Sequence, residues 1–204
     1  MDSEVKKKIT VGSLELYFKY GTQCISVDDI CKHLCISKKS FYQYFENKSD
    51  NIKNIIKEFI AMDLSFNREI SKGKMDVFDK ILKIYEKMHT QFKKCNPRFF
   101  HDLYKYNRDA YKLFIEFENG ELEQIIKSLL CEGKEKKLFR EDIDEHIVYK
   151  FQIDGIRKIL DGSVLDEITD SNHVFKQFIL SSLIGISTLK GHKIMERKLK
   201  NSNQ

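Results

Sequence analysis

The sequence contains one proline, nine glycines and no long uninterrupted apolar run. So few helix-breaking residues, together with apolar positions that recur at helical spacing, predict an all-α protein. The most apolar stretch, residues 174–189, is interrupted by Lys176, Gln177 and several serines, so we expect no membrane contact. Residues 1–8 are polar and charged and no apolar segment follows them, so we expect no secretory signal and a cytoplasmic location.

The sequence also lacks the short motifs that mark common catalytic centres. It has no glycine-rich phosphate loop, no nucleophile-elbow pattern and no paired histidines of the HExxH type. Its six histidines are scattered along the chain. Because catalysis needs converging groups, we expect a protein that is not an enzyme, with no catalytic residues and no cofactor.

The five cysteines are odd in number and irregularly spaced, which is typical of reduced thiols rather than a disulfide framework. Cys31, His33 and Cys35 suggest a metal or redox site. On a helix, however, Cys31 and Cys35 share one face and His33 points elsewhere, so three ligands do not converge. We therefore expect no metal site, and thiol-based sensing is the less favoured alternative.

Residues 26–48 carry the strongest local pattern in the chain. Ser26 and Ser37 are each suited to cap a short helix, because a serine hydroxyl accepts a hydrogen bond from a free amide of the first turn. The break between the two helices falls at Cys35 and Ile36. Two short helices joined by a tight turn predict a helix-turn-helix, in which the second helix enters the DNA groove.

The second of these helices begins at Lys38 and predicts a DNA-reading surface. Phe41 and Phe45 lie four residues apart and face inward, which leaves polar side chains on the outer face. Lysines and hydroxyls suit phosphates, whereas glutamine and tyrosine reach base edges. The predicted phosphate contacts are Ser26, Lys38, Ser40, Tyr42 and Lys48, and the predicted base contacts are Lys39, Gln43 and Tyr44.

The net charge of +5 is weak evidence for DNA binding. Residues 1–50 hold eight lysines and arginines against seven acidic residues, whereas residues 190–204 hold five against one. The spacing of the helices therefore carries the prediction, and charge adds little to it. The lysines at positions 6–8 form either an arm that touches the DNA or a solvated terminus.

The first fifty residues also resemble the N-terminal domain of TetR-type transcriptional regulators. The most specific part of the resemblance is Ser37-Lys38-x-Ser40-Phe41-Tyr42-x-x-Phe45-x-x-Lys48. Cys31, Cys35 and Lys39 stand where the family usually has alanine, glycine and glycine. We therefore expect Cys35 to adopt a left-handed backbone conformation at a modest cost.

This resemblance implies a homodimeric repressor that binds a palindromic double-stranded DNA operator and is released by a small molecule. It implies a three-helix DNA-binding domain, residues 1–48, and a larger helical domain for effector binding and dimerisation, residues 49–204. Two alternatives stay open. One is a helical protein-interaction module, and the other is a nucleoid-associated DNA binder that has no effector.

Beyond residue 48 the apolar spacing predicts five or six helices, including a long one capped by Asn47 and others over residues 109–131 and 171–199. Aromatic side chains are dense between residues 85 and 117. They form either plain core or, as the resemblance favours, a cavity for an apolar or aromatic effector. The predicted ligand-binding residues are Tyr85, His89, Phe92, Tyr104, Tyr111 and Phe114.

Residues 142–160 and 171–189 carry apolar side chains around more of the helix circumference than one protomer can cover. Pairing these two helices about a two-fold axis buries the band in a four-helix dimer interface. The alternative is that both helices lie in the core of a monomer. The predicted interface residues are Val174, Phe175, Phe178, Ile179, Leu183 and Ile186.

Overall fold

The computed structural model describes residues 2–93, 95–160 and 170–201. Within these ranges the chain forms eleven α-helices and one π-helical turn, which confirms the predicted all-α class. The α-helices are α1 Asp2–Tyr20, α2 Val27–Leu34, α3 Lys38–Tyr42, α4 Lys48–Lys72, α5 Val77–Phe92, α6 Arg98–Tyr106, α7 Arg108–Phe117, α8 Glu123–Glu135, α9 Glu145–Leu160, α10 Ser171–Gly185 and α11 Leu189–Asn201. No helix in the described ranges has the length and apolar character needed to span a bilayer.

Local signals set several helix ends where the sequence predicts them. Gly21 ends α1 with a φ of +82°, a conformation that glycine adopts without strain. The Asn47 side chain accepts a hydrogen bond from the Asp50 amide at 2.9 Å and caps α4. Pro97 directly precedes α6, as expected for a residue that lacks an amide hydrogen.

The prediction of one continuous helix over residues 171–199 is wrong, because residues 186–188 separate α10 from α11. This short segment pairs with the chain at residues 138–140. The Arg140 amide donates to the Ile186 carbonyl at 2.9 Å, and the Thr188 amide donates to the Leu138 carbonyl at 2.9 Å. The Thr188 hydroxyl then accepts from the Gly191 amide at 3.2 Å and begins α11.

The predicted helix over residues 109–131 is also divided. A π-helical turn, Glu118–Leu122, separates α7 from α8, and α8 continues to Glu135. A π-turn inserts one extra residue into the helical repeat while the chain stays helical, so helical spacing does not reveal it. The chain beyond residue 48 therefore has more helices than the five or six expected.

The first of two compact units comprises Met1–Ser65 and Lys94–Asn119. In it α1 packs against α2 and α6, and α2 packs against α3. At Gly12 the approach of α1 to α2 is so close that a Cβ atom would lie 2.4 Å from Leu34 Cδ2. The side chains buried beneath α2 and α3 include Ile9, Tyr17, Ile30, Leu34, Phe41, Phe45 and Ile52.

The second unit comprises Phe66–Lys93 and Gly120–Gln204, and α5 packs against α8, α9 and α10 within it. The buried Tyr85 hydroxyl on α5 donates to Gln152 Oε1 at 2.7 Å, and Gln152 Nε2 donates to Ser182 Oγ at 2.8 Å. These two bonds pair the buried hydroxyl of Tyr85 and the side-chain amide of Gln152. The domain boundary predicted after residue 48 stays a prediction.

Candidate nucleic-acid interface

A reciprocal cap fixes the start of α2. The Ser26 hydroxyl accepts from the Asp29 amide at 3.2 Å, and the Ser26 amide donates to Asp29 Oδ2 at 2.8 Å. The hydrogen bond from the Ser26 hydroxyl holds the pKa of the Asp29 carboxyl below its usual value. Ser26 therefore serves the fold directly, and its predicted contact with phosphate stays a prediction.

The turn between α2 and α3 has the conformation that the sequence predicts. Cys35 has φ 53° and ψ 45°, the left-handed region that usually takes glycine. The Ile36 amide donates to the Cys31 carbonyl at 3.0 Å, and the Lys8 ammonium donates to the Leu34 carbonyl at 3.1 Å. These bonds satisfy carbonyls that the end of α2 leaves free.

The lysines at positions 6–8 lie within α1 and do not form an extended arm. Lys8 caps α2, as described above, and the Lys6 ammonium lies 5.9 Å from the centre of the Phe45 ring. Two of the three lysines therefore contact the helix-turn-helix itself. Their long side chains join α1 to the helices that it supports.

The helix α3 is anchored by its aromatic side chains and presents its polar ones to solvent. Ser37 Oγ accepts from the Ser40 amide at 3.0 Å and caps the helix. Phe41 and Phe45 are buried, with their ring centres 5.4 Å apart. Among the other side chains of this segment, Ser40 and Tyr44 are half-buried and the predicted contacts Lys39, Tyr42 and Gln43 are exposed.

Lys38 has a partner that sequence reasoning missed. Its ammonium lies 2.7 Å from Asp28 Oδ1, and the two side chains are 61% and 51% exposed. The hydrogen bond to Asp28 raises the pKa of Lys38. A phosphate at Lys38 therefore competes with a carboxylate already present. Asp28 and Lys38 are ten residues apart and lie on different helices, so helical spacing does not pair them. Only the folded turn brings the two side chains together.

Lys48 is the first residue of α4 and is half-buried. Burial lowers the pKa of this ammonium, while Asp102, Cys24 and Asp29 oppose the shift. The positive end of the helix dipole also disfavours a cation at this position. A bound phosphate would relieve both costs, which supports the predicted role of Lys48.

Asp102 on α6 is a buried carboxylate that sequence reasoning did not single out. Its Oδ2 accepts from the Gln23 amide at 2.9 Å, in the loop between α1 and α2. A Cβ atom at Gly21 would lie 2.8 Å from the same oxygen. Asp102 thus positions the loop that leads into the helix-turn-helix. Because it lies 79 residues from Gln23, no local signal reveals this role.

The six predicted ligand-binding residues fall in both compact units. Tyr85, His89 and Phe92 belong to the second unit, and all three are buried. The other three, Tyr104, Tyr111 and Phe114, belong to the first unit. Only His89 among the six lines the cavity of about 610 Å³ that the second unit contains. A shared effector site for all six stays a prediction.

The predicted dimer residues are largely covered by their own protomer. Phe175, Ile179, Leu183 and Ile186 are buried, whereas Val174 and Phe178 are half-buried. The exposed apolar side chains on this part of the unit are instead Ile147 and Phe151 of α9, which are 64% and 63% exposed. The Phe151 ring lies 5.7 Å from the Phe178 ring and lines a groove of about 480 Å³ between α9 and α10.

Comparisons with known proteins agree with this architecture. No protein-family model matches the chain. Over 176 residues it is 24% identical to the uncharacterised HTH-type transcriptional regulator YvaF of Bacillus subtilis (strain 168), covering 80% of this chain and 91% of that protein.

Solved structures extend the similarity to most of the chain. A TetR-family transcriptional regulator from Agrobacterium tumefaciens superposes with a TM-score of 0.76 at 13% identity, covering 92% of this chain and 100% of that one. The transcriptional regulator FadR from Bacillus subtilis, in complex with stearoyl-CoA, gives a TM-score of 0.70 at 18% identity, covering 88% and 98%. The chain therefore has the fold of the TetR-family transcriptional regulators, as the resemblance of its first fifty residues predicted.

Proposed function

We propose that this protein is a sequence-specific, DNA-binding transcriptional regulator that acts as a homodimer on a palindromic operator and is released by a small molecule. The observation that carries the proposal is the arrangement of α3. Buried Phe41 and Phe45 hold the helix in place, and Lys39, Tyr42 and Gln43 are exposed beside it. This arrangement suits a recognition helix in the major groove. The activity is binding rather than catalysis, and such a role places the protein in the cytoplasm with the DNA.

The similar proteins support the regulatory part of the proposal. YvaF is described as an HTH-type transcriptional regulator, and the Bacillus subtilis FadR structure holds stearoyl-CoA. A fold that carries such a ligand has room for an apolar effector. An effector can change DNA affinity only if it binds the DNA-competent and the released arrangements with different affinities.

Dimerisation is supported by the exposed apolar surface of α9. Ile147 and Phe151 flank a groove that also includes Ser181 and Gly185 of α10, and these small residues permit a second helix to approach closely. A patch of this kind on one face is unfavourable in water unless another surface covers it. A second copy paired about a two-fold axis covers the patch on both protomers and presents two recognition helices to a palindrome.

The decisive experiment for DNA recognition is selection of bound duplexes from a random pool. We expect a palindromic consensus. Gln43→Ala should then cost about 1–3 kcal/mol at the consensus site and relax the preference at one base position. Lys112→Ala, which removes an exposed lysine on α7, is the matched control and should change neither property. A pool without any consensus would favour the nucleoid-associated alternative, and absence of DNA binding would favour the protein-interaction module.

The dimer is tested by sedimentation of Phe151→Glu at micromolar concentration. We expect a folded monomer that loses tight binding to the palindrome, because a charge at this position must be desolvated in the interface. Met62→Glu is the matched control, since Met62 is 67% exposed on α4 and outside the groove. A wild-type protein that sediments as a monomer would contradict the dimer and weaken the operator model with it.

A further inference from the structure

The helices α5, α10 and α11 surround a half-open cavity of about 610 Å³, within the size range of small-molecule sites. Its deep wall is apolar, because the buried side chains of Phe175, Ile179 and Met195 form it. The same lining also carries exposed side chains of both positive and negative charge, namely Lys83, Lys176 and Glu86. Exposed charges of mixed sign are screened by solvent, so the lining does not select strongly for a charged ligand.

His89 is the polar group in the apolar wall. Its side chain is only 5% exposed, and its ring stacks on Phe175 with centroids 4.2 Å apart. Within the described part of the chain the buried Nε2 atom has no hydrogen-bond partner. Burial also lowers the pKa of the imidazole, so the neutral form prevails at pH 7. A neutral nitrogen left unpaired in an apolar wall is unfavourable unless another group pairs with it.

One cation of the lining is already neutralised. The Lys198 ammonium of α11 lies 2.7 Å from Asp79 Oδ2 and also pairs with Asp76 at the start of α5. These bonds hold α11 beside α5. The two carboxylates neutralise the Lys198 ammonium, so it does not attract an anion. Lys198 is thus paired, whereas His89, among the described residues of the lining, contributes a buried nitrogen without a partner.

We propose that this cavity binds an uncharged, mainly apolar molecule that carries one hydroxyl group, and that this hydroxyl pairs with His89 Nε2. A hydroxyl both donates and accepts, so it satisfies either tautomer of a neutral imidazole. The apolar body of the ligand covers the wall formed by Phe175, Ile179 and Met195. The proposal that a ligand binds here depends on the cavity and not on the regulatory function. The further claim that this ligand is an effector rests on the proposed regulatory function.

The test compares 2-naphthol with naphthalene, which differ by the hydroxyl alone, on the full chain by isothermal titration calorimetry or ligand-observed NMR. His89→Phe keeps an aromatic ring beside Phe175 but removes both ring nitrogens and adds one ring atom. We expect the ratio of the two dissociation constants to shift by about tenfold toward naphthalene in His89→Phe. The variant should fold normally, because it removes an unpaired polar atom from an apolar wall and leaves an aromatic ring beside Phe175. An unchanged ratio would overturn the role of His89.

A second variant tests the location of the site. Leu180→Trp fills the cavity from the half-buried face of α10 and should abolish binding of both compounds. Leu189→Trp is the matched control, because Leu189 is exposed and does not line the cavity. Binding that survives Leu180→Trp would overturn the site. Binding that appears only in the Phe151→Glu monomer would also overturn it, because the compounds would then occupy the groove between α9 and α10.

Ligand binding and DNA binding are measured separately, so the two proposals can fail independently. If the wild-type protein binds a selected duplex but neither compound, the cavity inference is wrong and the regulator proposal stands. If 2-naphthol binds as expected but leaves the affinity for the duplex unchanged, the site stands and its role as an effector site is wrong.

Discussion

The ion pair between Lys38 and Asp28 makes a specific prediction: Asp28→Asn should increase the affinity of the protein for DNA. Both side chains are more than half exposed, so solvent screens the pair and it contributes little to stability. Asp28 also lies in the first turn of α2, where an acidic side chain is worth about 0.3–1 kcal/mol. The substitution should therefore lower the free energy of unfolding by at most about 1 kcal/mol.

The gain in DNA affinity has two sources. The Lys38 ammonium no longer has to leave a carboxylate 2.7 Å away before it meets a phosphate. The Asp28 carboxylate no longer repels that phosphate, an effect of about 0.5 kcal/mol at some 7 Å in water. Together, over the two sites of a dimer, these effects should give roughly a 5- to 30-fold gain in affinity.

Fluorescence anisotropy with a selected duplex and a random one measures this effect. Between about 50 and 200 mM salt, the slope of log K against log salt concentration should steepen by at most about 0.9 per protomer, because the net positive charge that faces the phosphates rises by one. Both duplexes should gain alike, since a phosphate contact carries no sequence information.

Asp109→Asn is the matched control for this measurement. It removes an exposed aspartate that lies 3.7 Å from Lys53, in a pair that includes neither α2 nor α3. It should leave the DNA affinity unchanged. If Asp28→Asn changed neither the affinity nor the salt slope, or if Asp109→Asn produced the same gain, Lys38 would not face phosphate and the assignment would be refuted.

Three further predictions concern single residues of the first unit. Because burial lowers the pKa of Lys48, stability should rise with pH toward the usual lysine pKa. Lys48→Met should therefore keep or raise Tm at pH 7, and a fall in Tm would contradict this. The same substitution should weaken DNA binding and flatten the slope of log K against log salt concentration by about one unit. Gly12→Ala should lower the free energy of unfolding in urea by about 1–3 kcal/mol, because the new Cβ atom meets Leu34, although alanine has the better helix propensity. Gly120→Ala is the control and should not lower it, because no atom lies within 4 Å of the added Cβ atom. Cys35→Gly should raise the unfolding free energy by about 1 kcal/mol by relieving the left-handed strain, and an unchanged value would argue against that strain.

The sequence predicted the helix-turn-helix well because its determinants are local. Each cap at Ser26, Ser37 and Asn47 joins groups three residues apart, and the structure contains all three. The left-handed turn at Cys35 follows from the same kind of short-range reasoning. Hydrogen bonds within one helical turn depend on residue type and spacing, and both can be read from the sequence.

Contacts between distant segments could not be predicted in this way. The break between α10 and α11 exists because Thr188 bonds to Leu138, fifty residues earlier in the chain. The loop before α2 is held by Asp102 through the Gln23 amide, and the cavity beside His89 is formed by three separate helices. Helical periodicity identifies an apolar face but contains no information about which element covers it.

The dimer surface illustrates that limit of periodicity and its effect on experimental design. From the sequence alone, Ile179→Glu with Leu183→Glu looks like a test of dimerisation, because both side chains lie on the apolar band of α10. In the folded protomer they are 2% and 0% exposed, so these charges would be placed in the core and the chain would unfold whether or not it dimerises. Phe151 is 63% exposed, so Phe151→Glu adds a charge that the folded monomer keeps in water. Loss of the dimer in a chain that stays folded would then be evidence about the interface, which the core substitutions cannot give.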